Sequence, residues 1–316
     1  MGARSLTNTG GADGRPVGED GPVTCAEDGP MTDDGAARLR AGLAERYLAV
    51  WQLAPDGRSR DDDGALALPV RTRAGEPALL RIGPPGARAE HEHLALRLWG
   101  GRGAVRLLRA EPADRALLLE RTGEQDLRDL PDLEACRVLG ELTRTLARPP
   151  RPPFPPLSAA ARGWREDLAG AAELDARFPR RFRRQAVANL DRLLRDELDT
   201  ALVHQDLHPG AVRAARRAPW LATGADPVLG TVEFALVAAL WPRTEAAGHG
   251  GALAAALEDR IEALSLAAGA DAERLRAWAL VRFALAAREE ADRPTGAPHR
   301  AISRLVQLCK AVQKGG

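Results

Sequence analysis

The chain has 316 residues, of which 45% are hydrophobic and 28% charged, a composition typical of a globular protein long enough to bury a sizeable core. Lys and Arg number 45 against 44 Asp and Glu, so the formal charge is +1, which argues against a uniformly basic surface for nucleic acid. The sequence has no apolar run near the ~20 residues of a membrane span, no apolar segment of a secretory signal near its start, and three widely separated cysteines that match neither a disulfide framework nor a metal-ligand spacing. We therefore expect a cytoplasmic protein without nucleic-acid or membrane partners.

The first part of the chain predicts a tail followed by a small, strand-rich lobe. Residues 1–34 have no periodic apolar pattern and are predicted to be disordered. From Ala36 onward apolar residues recur at helical spacing, and a second helix is predicted over 87–99. Short apolar runs around turn residues predict two β-hairpins. The runs are residues 65–70 with 78–82, and 105–108 with 116–120. These elements define a predicted lobe over residues 35–121.

The remainder predicts a larger and mainly helical lobe over residues 122–316. It begins with a helix over 131–147, with Pro131 at its first position, and then an extended segment over 149–156 that contains six prolines. Further helices are predicted over 158–173, 179–197, 250–268, 271–289 and 296–313. Residues 201–242 interrupt the helices with short strands and loops, and we expect any chemistry to lie there. The six tryptophans are expected in the core.

Residues 202–211 have the sequence LVHQDLHPGA, which resembles the catalytic loop H-G-D-L-H-x-G-N of the aminoglycoside phosphotransferases. Other segments, in chain order, resemble the streptomycin and hydroxyurea phosphotransferase branch of that superfamily. They are residues 91–99, 103–108, 116–121, 219–222 and 233–243. The resemblance implies an α+β, protein-kinase-like bilobal fold, with a small β-rich N-lobe and a larger, mainly helical C-lobe. It also implies ATP between the lobes and an alcohol substrate on the helical lobe.

The resemblance places the family's catalytic base at Asp206, which would orient the attacking hydroxyl. The alternative is that Asp206 only ties the loop together by accepting backbone N–H bonds. His204 and His208 match framework positions of the same loop. Loop packing is the favoured interpretation for these two histidines, and acid/base chemistry is the alternative. In the small lobe, Arg81 falls where the family has its phosphate-contacting Lys, and Glu92 is the candidate for the helix carboxylate that pairs with it. For both, an ordinary exposed charge is the alternative.

The positions of the family's metal ligands depart from its pattern. Ala211 falls where the family has a metal-binding Asn. Residues 221–227, LATGADP, align with L-A-I-D-P-K-P, so that the principal metal-binding Asp falls on Gly224. Mg²⁺ requires oxygen ligands, which neither a methyl group nor a hydrogen atom supplies. Two further Asp positions are replaced by Thr231 and Ala235. Asp226 stays open as a substitute ligand, although a solvated turn residue is the favoured interpretation.

These departures predict no metal site and no cofactor. They favour a degenerate member of the family, a pseudokinase that uses the old inter-lobe cleft to bind a small molecule or a partner protein. One alternative is an active phosphotransferase that uses ATP and Mg²⁺ on an aminoglycoside-like or other small alcohol. Another is a repurposed, metal-free enzyme of natural-product biosynthesis that uses Asp206 and the loop histidines.

Overall fold

The computed structural model describes residues 33–62, 64–84, 90–293 and 298–313. The tail predicted over 1–34 thus falls almost entirely outside the described residues and stays a prediction. The described chain starts with helix α1 (Asp33–Val50), which packs on the sheet that follows. Its buried residues Ala44 and Tyr47 lie in one small apolar cluster with strand residues of that sheet.

In the described part of the small lobe, six strands form one antiparallel sheet. They are β1 (Ala54–Pro55), β2 (Arg60–Asp62), β3 (Ala65–Arg71), β4 (Pro77–Ile82), β5 (Leu107–Glu111) and β6 (Ala116–Glu120). The order is β1-β3-β4-β6-β5, and β2 also pairs with β3. Both predicted hairpins are present, with Leu68 opposite Leu80 and Ala110 opposite Leu117.

The helix between the hairpins, α2 (Glu92–Trp99), is shorter than the predicted range of 87–99. The apolar residues that predict it all lie between Leu94 and Leu98, so the periodicity carried no information about where the helix begins. The helix ends at Trp99, and the residue that caps it, Gly100, has a left-handed φ of 56°, a conformation that favours glycine. Residues 85–89 lie outside the described part of the chain.

Helices dominate the rest of the described chain. They are α3 (Asp132–Leu146), α4 (Leu157–Gly170), α5 (Arg180–Leu193), α6 (Val232–Leu240), α7 (Gly250–Ala268), α8 (Ala272–Asp292) and α9 (Pro298–Gln313). Helix α5 ends before the predicted residue 197 because the next residues form i→i−3 turns, such as Asp196 N–H to the Leu193 carbonyl. Helix α6 was not predicted. Every residue of α6 except Glu233 is apolar, so its sequence lacks the periodicity of an amphipathic helix.

Two short strand pairs interrupt the helices and hold the loops of interest. Strand β7 (Ala201–His204) pairs with β10 (Pro227–Gly230), and β8 (Val212–Ala214) pairs with β9 (Trp220–Ala222). His204 lies opposite Pro227, and Val212 lies opposite Ala222. The loops 205–211 and 223–226 are therefore fixed side by side at both ends.

The sheet is attached to these loops by both main-chain and side-chain hydrogen bonds. Ala222 N–H donates to the Gly103 carbonyl at 2.9 Å, and its own carbonyl accepts from Val105 N–H at 3.0 Å. Arg217 donates from Nε to Glu120 on β6 at 2.8 Å. The predicted division of the chain after residue 121 falls just beyond β6 and stays a prediction. No helix in the described ranges is both long and apolar enough to cross a membrane.

Candidate functional site

Asp206 lies in the loop that follows strand β7, and the backbone of this loop is hydrogen-bonded to the rings of His204 and His208. The backbone N–H of Asp206 donates to His204 Nδ1 at 3.2 Å. Four residues further along the chain, the N–H of Gly210 donates to His208 Nδ1 at 3.2 Å. Because each Nδ1 accepts a hydrogen bond, the proton of a neutral ring lies on Nε2 in both histidines. The loop geometry around Asp206 is thus fixed from within the loop.

The structure separates the two histidines. The side chain of His204 is buried, and its ring stacks on that of Trp99, with centroids 5.9 Å apart and planes 12° from parallel. Burial, aided by the nearby His208, lowers the pKa of His204 to about 4. His208 instead lines a cavity together with Asp206. His204 is accordingly a framework residue, and acid/base chemistry in this cavity is open to His208 alone of the pair.

The cavity has a volume of about 450 Å³ and lies between the loop of Asp206 and helices α4, α6 and α8. Two tryptophans, Trp164 and Trp241, contribute to its walls. Trp164 stacks on Phe234 at 6.0 Å, and Trp241, which is 40% exposed, packs on Phe283 at 5.2 Å. The expectation that every tryptophan is a core residue was wrong for Trp241. Trp241 follows α6, in a segment for which the sequence predicted no helix, and it contributes to the cavity wall.

Charged side chains enter the same cavity from both loops and from α8. Asp206, Asp226 and Glu289 supply carboxylates, and Arg282 supplies a cation. Sequence analysis did not single out Glu289 or Arg282. Helix α8 carries several other charged residues, so nothing in its sequence distinguishes these two from the rest.

Asp226 is not the solvated turn residue that the sequence favoured. It is half-buried, and its Oδ1 accepts a hydrogen bond of 3.0 Å from Nε2 of Gln205. The Gln205 N–H also donates to the Asp226 carbonyl at 2.9 Å. Pairing of β7 with β10 brings these two residues together. Such a contact between two loops cannot be predicted from the sequence of either loop alone.

Arg81 and Glu92 form a close ion pair. Arg81 Nη1 donates to Glu92 Oε2 at 2.6 Å, and the two side chains are 15% and 4% exposed. Burial raises the pKa of Glu92, an effect that Arg81 opposes. Neither residue is thus an ordinary exposed charge, and their role toward a phosphate stays a prediction. Asp62, on β2, lies 4.0 Å from Arg81 Nε.

The residues at the expected metal-ligand positions do not fit Mg²⁺. The carbonyl of Ala211 accepts hydrogen bonds from the N–H and the hydroxyl of Thr223, at 2.7 and 3.1 Å, so the loops of Ala211 and Gly224 are in contact. A Cβ at Gly224 would have Glu92 Oε1 as a neighbour at 3.8 Å, which leaves room for a side chain that this chain lacks. In the ranges that the structure describes, no group of three or more His, Cys, Asp or Glu residues could hold a metal ion.

An antiparallel sheet, a mainly helical lobe and a loop carrying Asp206 between two short strand pairs define a kinase-like phosphotransferase fold. The chain belongs to the aminoglycoside/hydroxyurea antibiotic resistance kinase family, whose sequence model matches residues 50–293. It is 32% identical over 247 residues to streptomycin 6-kinase of Streptomyces griseus, covering 76% of this chain and 80% of that protein. It is 34% identical over 252 residues to hydroxyurea phosphotransferase of Kitasatospora aureofaciens, covering 76% and 70%. The predicted membership of this branch is confirmed.

Solved structures confirm the predicted fold class. A choline/ethanolamine kinase family protein from Mesorhizobium loti matches with a TM-score of 0.56 at 15% identity, over 88% of this chain and 94% of that one. An aminoglycoside phosphotransferase from Alicyclobacillus acidocaldarius matches with a TM-score of 0.52 at 12% identity, over 93% and 97%. At these identities the likeness concerns the fold alone.

Proposed function

We propose that this chain binds a polar small molecule in the cavity beside Asp206 and does not efficiently transfer phosphate to it. The proposal rests on one observation. Ala211 and Gly224, which fall where the resemblance places the family's metal-binding Asn and Asp, offer no side-chain oxygen, whereas Asp206 lines a cavity of about 450 Å³. A catalytic metal ion supplies several kcal/mol of charge stabilisation in such reactions, and about 1.4 kcal/mol corresponds to a factor of ten in rate.

The cavity supports a ligand of ordinary metabolite size. Its volume of about 450 Å³ lies within the range of small-molecule sites, which combine apolar walls with a few convergent polar groups. Here the apolar walls include Trp164 and Trp241, and the polar groups include Asp206 and His208. The names of the relatives point to streptomycin and hydroxyurea as the first compounds to try.

An active phosphotransferase is the second candidate, and two observations favour it. Asp206 lines the cavity, where a base for an acceptor hydroxyl would be needed. The Arg81–Glu92 ion pair is intact, and in this fold such a pair would contact nucleotide phosphates. The two candidates differ in their requirement for a divalent metal and ATP. The phosphotransferase needs both for turnover, whereas the binding protein needs neither to bind its ligand.

The experiment that tests the proposal combines a turnover assay with a chelator and one mutation. ADP release is measured with ATP, Mg²⁺ and either streptomycin or hydroxyurea, and binding of the same compounds is measured by calorimetry. We expect no ADP release above background, and less than a tenfold change in binding when Asp206→Asn is introduced or EDTA is added. Asn preserves the shape of Asp and still accepts hydrogen bonds.

Two other outcomes would refute the proposal in different ways. Release of ADP that is abolished by both EDTA and Asp206→Asn would establish the active phosphotransferase. Chemical conversion of a compound without ATP, abolished by Asp206→Asn but unaffected by EDTA, would establish a metal-free enzyme. In that case His208, which lines the cavity, would be the available acid/base partner.

A further inference from the structure

Arg148, just after helix α3, carries a half-buried positive charge that no carboxylate of the described residues balances. Its backbone is fixed, because its N–H donates to the Leu202 carbonyl at 3.1 Å and its carbonyl accepts from the Leu202 N–H at 2.8 Å. Its Nη1 donates to the carbonyl of the preceding residue, Ala147, at 3.1 Å. Its Nε is buried without a hydrogen-bond partner. The guanidinium therefore lacks the counter-charge that partly buried cations normally have.

A second arginine, Arg102, lies beside it. Arg102 is exposed and belongs to the turn that follows α2. The turn packs on the end of α3, since a Cβ at Gly103 would lie 3.0 Å from Thr145 Cγ2. Burial lowers the pKa of Arg148, and the charge of Arg102 lowers it further. Within the described ranges the Arg102 side chain has no hydrogen bond or ion pair of its own, so two unbalanced cations are neighbours.

The chemistry of this pair favours a ligand with two negative charges. Like charges repel more strongly where water is partly excluded, and an anion between them replaces that repulsion by attraction. Guanidinium groups present their donors in a planar fork that suits phosphate as well as carboxylate. A phosphate group carries between one and two negative charges near neutral pH, whereas a carboxylate carries one, so phosphate balances the pair better.

We propose that Arg102 and Arg148 bind a tetrahedral oxyanion, either free phosphate or the phosphate group of a small ester. The inference does not depend on the proposed function, since neither arginine lines the cavity of Asp206. The site joins two elements that meet at His204. Helix α2, before Arg102, contributes the Trp99 ring that stacks on His204, and strand β7, which pairs with Arg148, ends at His204. A bound anion would stabilise this junction.

The test titrates the protein with inorganic phosphate at constant ionic strength and follows both the melting temperature and the phosphorus NMR signal of the anion. A ligand of the folded state raises the melting temperature in a saturable way, and we expect half-saturation at millimolar phosphate. Arg148→Met should raise that concentration at least about tenfold, and Arg102→Gln about fivefold. Arg192→Gln, the same loss of charge at an exposed site on α5, should leave it unchanged.

Melting in chloride buffer without phosphate separates anion binding from a structural role. Arg148→Met keeps an apolar stem and removes an unbalanced charge, so in chloride it should melt at the same temperature as the unmodified protein or higher. At saturating phosphate it should melt lower. An equal decrease in both buffers would refute the proposal. Arg148→Lys, a second variant that keeps the charge but not the planar fork, should weaken phosphate binding about threefold.

Two further anions identify the ligand. Tighter binding of glycerol 3-phosphate than of inorganic phosphate would assign the site to a phosphate ester, and the reverse order would assign it to the free ion. Acetate should bind at least about tenfold more weakly than either, and equal binding of acetate would refute the choice of phosphate. A rise in melting temperature that is linear in phosphate and equal in Arg148→Met would be a general salt effect and would refute the site.

Discussion

The ring of His204 stacks on that of Trp99, with 12° between the planes and 5.9 Å between the centroids. Trp99 ends helix α2 in the small lobe and donates from Nε1 to the Leu146 carbonyl at 2.8 Å. His204 ends strand β7 and accepts the N–H of Asp206. The stack therefore links the small lobe, helix α3 and the loop of Asp206 through one buried imidazole.

The buried imidazole predicts a loss of stability in mild acid. Its pKa falls from the ordinary value of 6.5 to about 4 in the folded protein. Between these two pH values the unfolded chain binds a proton that the folded chain does not, so the free energy of unfolding decreases as the pH is lowered. The full effect is about 3 kcal/mol by pH 4. Urea denaturation at several pH values measures it.

His204→Gln serves as the reference for this measurement, because other groups also titrate in the same window. Burial lowers the pKa of His93 in the same direction, whereas the raised pKa of Glu92 acts in the opposite direction. Both remain in the His204→Gln protein, so the difference between the two proteins isolates His204. Parallel stability curves for the two proteins between pH 6.5 and pH 4 would show that His204 does not cause the loss.

Removing one charge of the ion pair between Arg81 and Glu92 is expected to lower the stability of the fold substantially. Glu92→Gln removes the main counter-charge of the mostly buried guanidinium and leaves only Asp62, 4.0 Å away. Loss of a buried partner costs about 3 kcal/mol in comparable cases. Asp191→Asn is the matched control, since Asp191 pairs with Arg165 at 2.9 Å on the surface, with both side chains more than 40% exposed. That change should cost less than about 1 kcal/mol. Equal losses in urea denaturation would contradict the importance of the buried pair.

The contacts of Arg260 fix the end of helix α6, beside Trp241 in the cavity wall. Its buried guanidinium pairs with Asp132 at 2.6 Å and donates to the carbonyls of Leu240 and Pro242, at 3.2 and 2.7 Å. Lys keeps the charge but cannot make these three contacts together. Arg260→Lys should therefore lower stability by about 1–2 kcal/mol and make Trp241 more accessible to acrylamide.

Each protein is measured with and without the additional change Trp241→Phe, and the difference between the two fluorescence signals is the contribution of Trp241. Arg276→Lys is the control, because Arg276 is similarly buried and pairs with Glu258, which does not line the cavity of Asp206. That control should lower stability and leave Trp241 unaffected. Unchanged quenching of Trp241 in Arg260→Lys would show that Arg260 does not hold this wall.

Local patterns predicted most of the fold, and contacts between distant segments account for what they missed. Short apolar runs around turn residues identified the hairpins β3–β4 and β5–β6, and helical periodicity identified α7 closely. Helix α6 lacked that periodicity because all of its residues except Glu233 are apolar. The Gln205–Asp226 contact was invisible because strand pairing, not sequence proximity, creates it. The family pattern located Asp206, but it could not show that Trp241 and Glu289 share its cavity.

Restoring the missing metal ligands prepares the most direct test of the central claim. In the double variant Ala211→Asn/Gly224→Asp, the new Cβ at position 224 has space, since its nearest neighbour would be Glu92 Oε1 at 3.8 Å. Gly224 has a φ of 77°, a left-handed conformation that Asp adopts more readily than most residues. Adding Asp206→Asn to this double variant shows whether any activity gained requires the Asp206 carboxylate.

The decisive measurement is the Mg²⁺-dependent shift in melting temperature that ATP causes in the unmodified protein and in the double variant. A ligand at 100 times its Kd stabilises the folded state by about 2.7 kcal/mol, which corresponds to several degrees. The account predicts no Mg²⁺-dependent shift in the unmodified protein and a clear one in the double variant. A Mg²⁺-dependent shift in the unmodified protein as large as that in the double variant would contradict it.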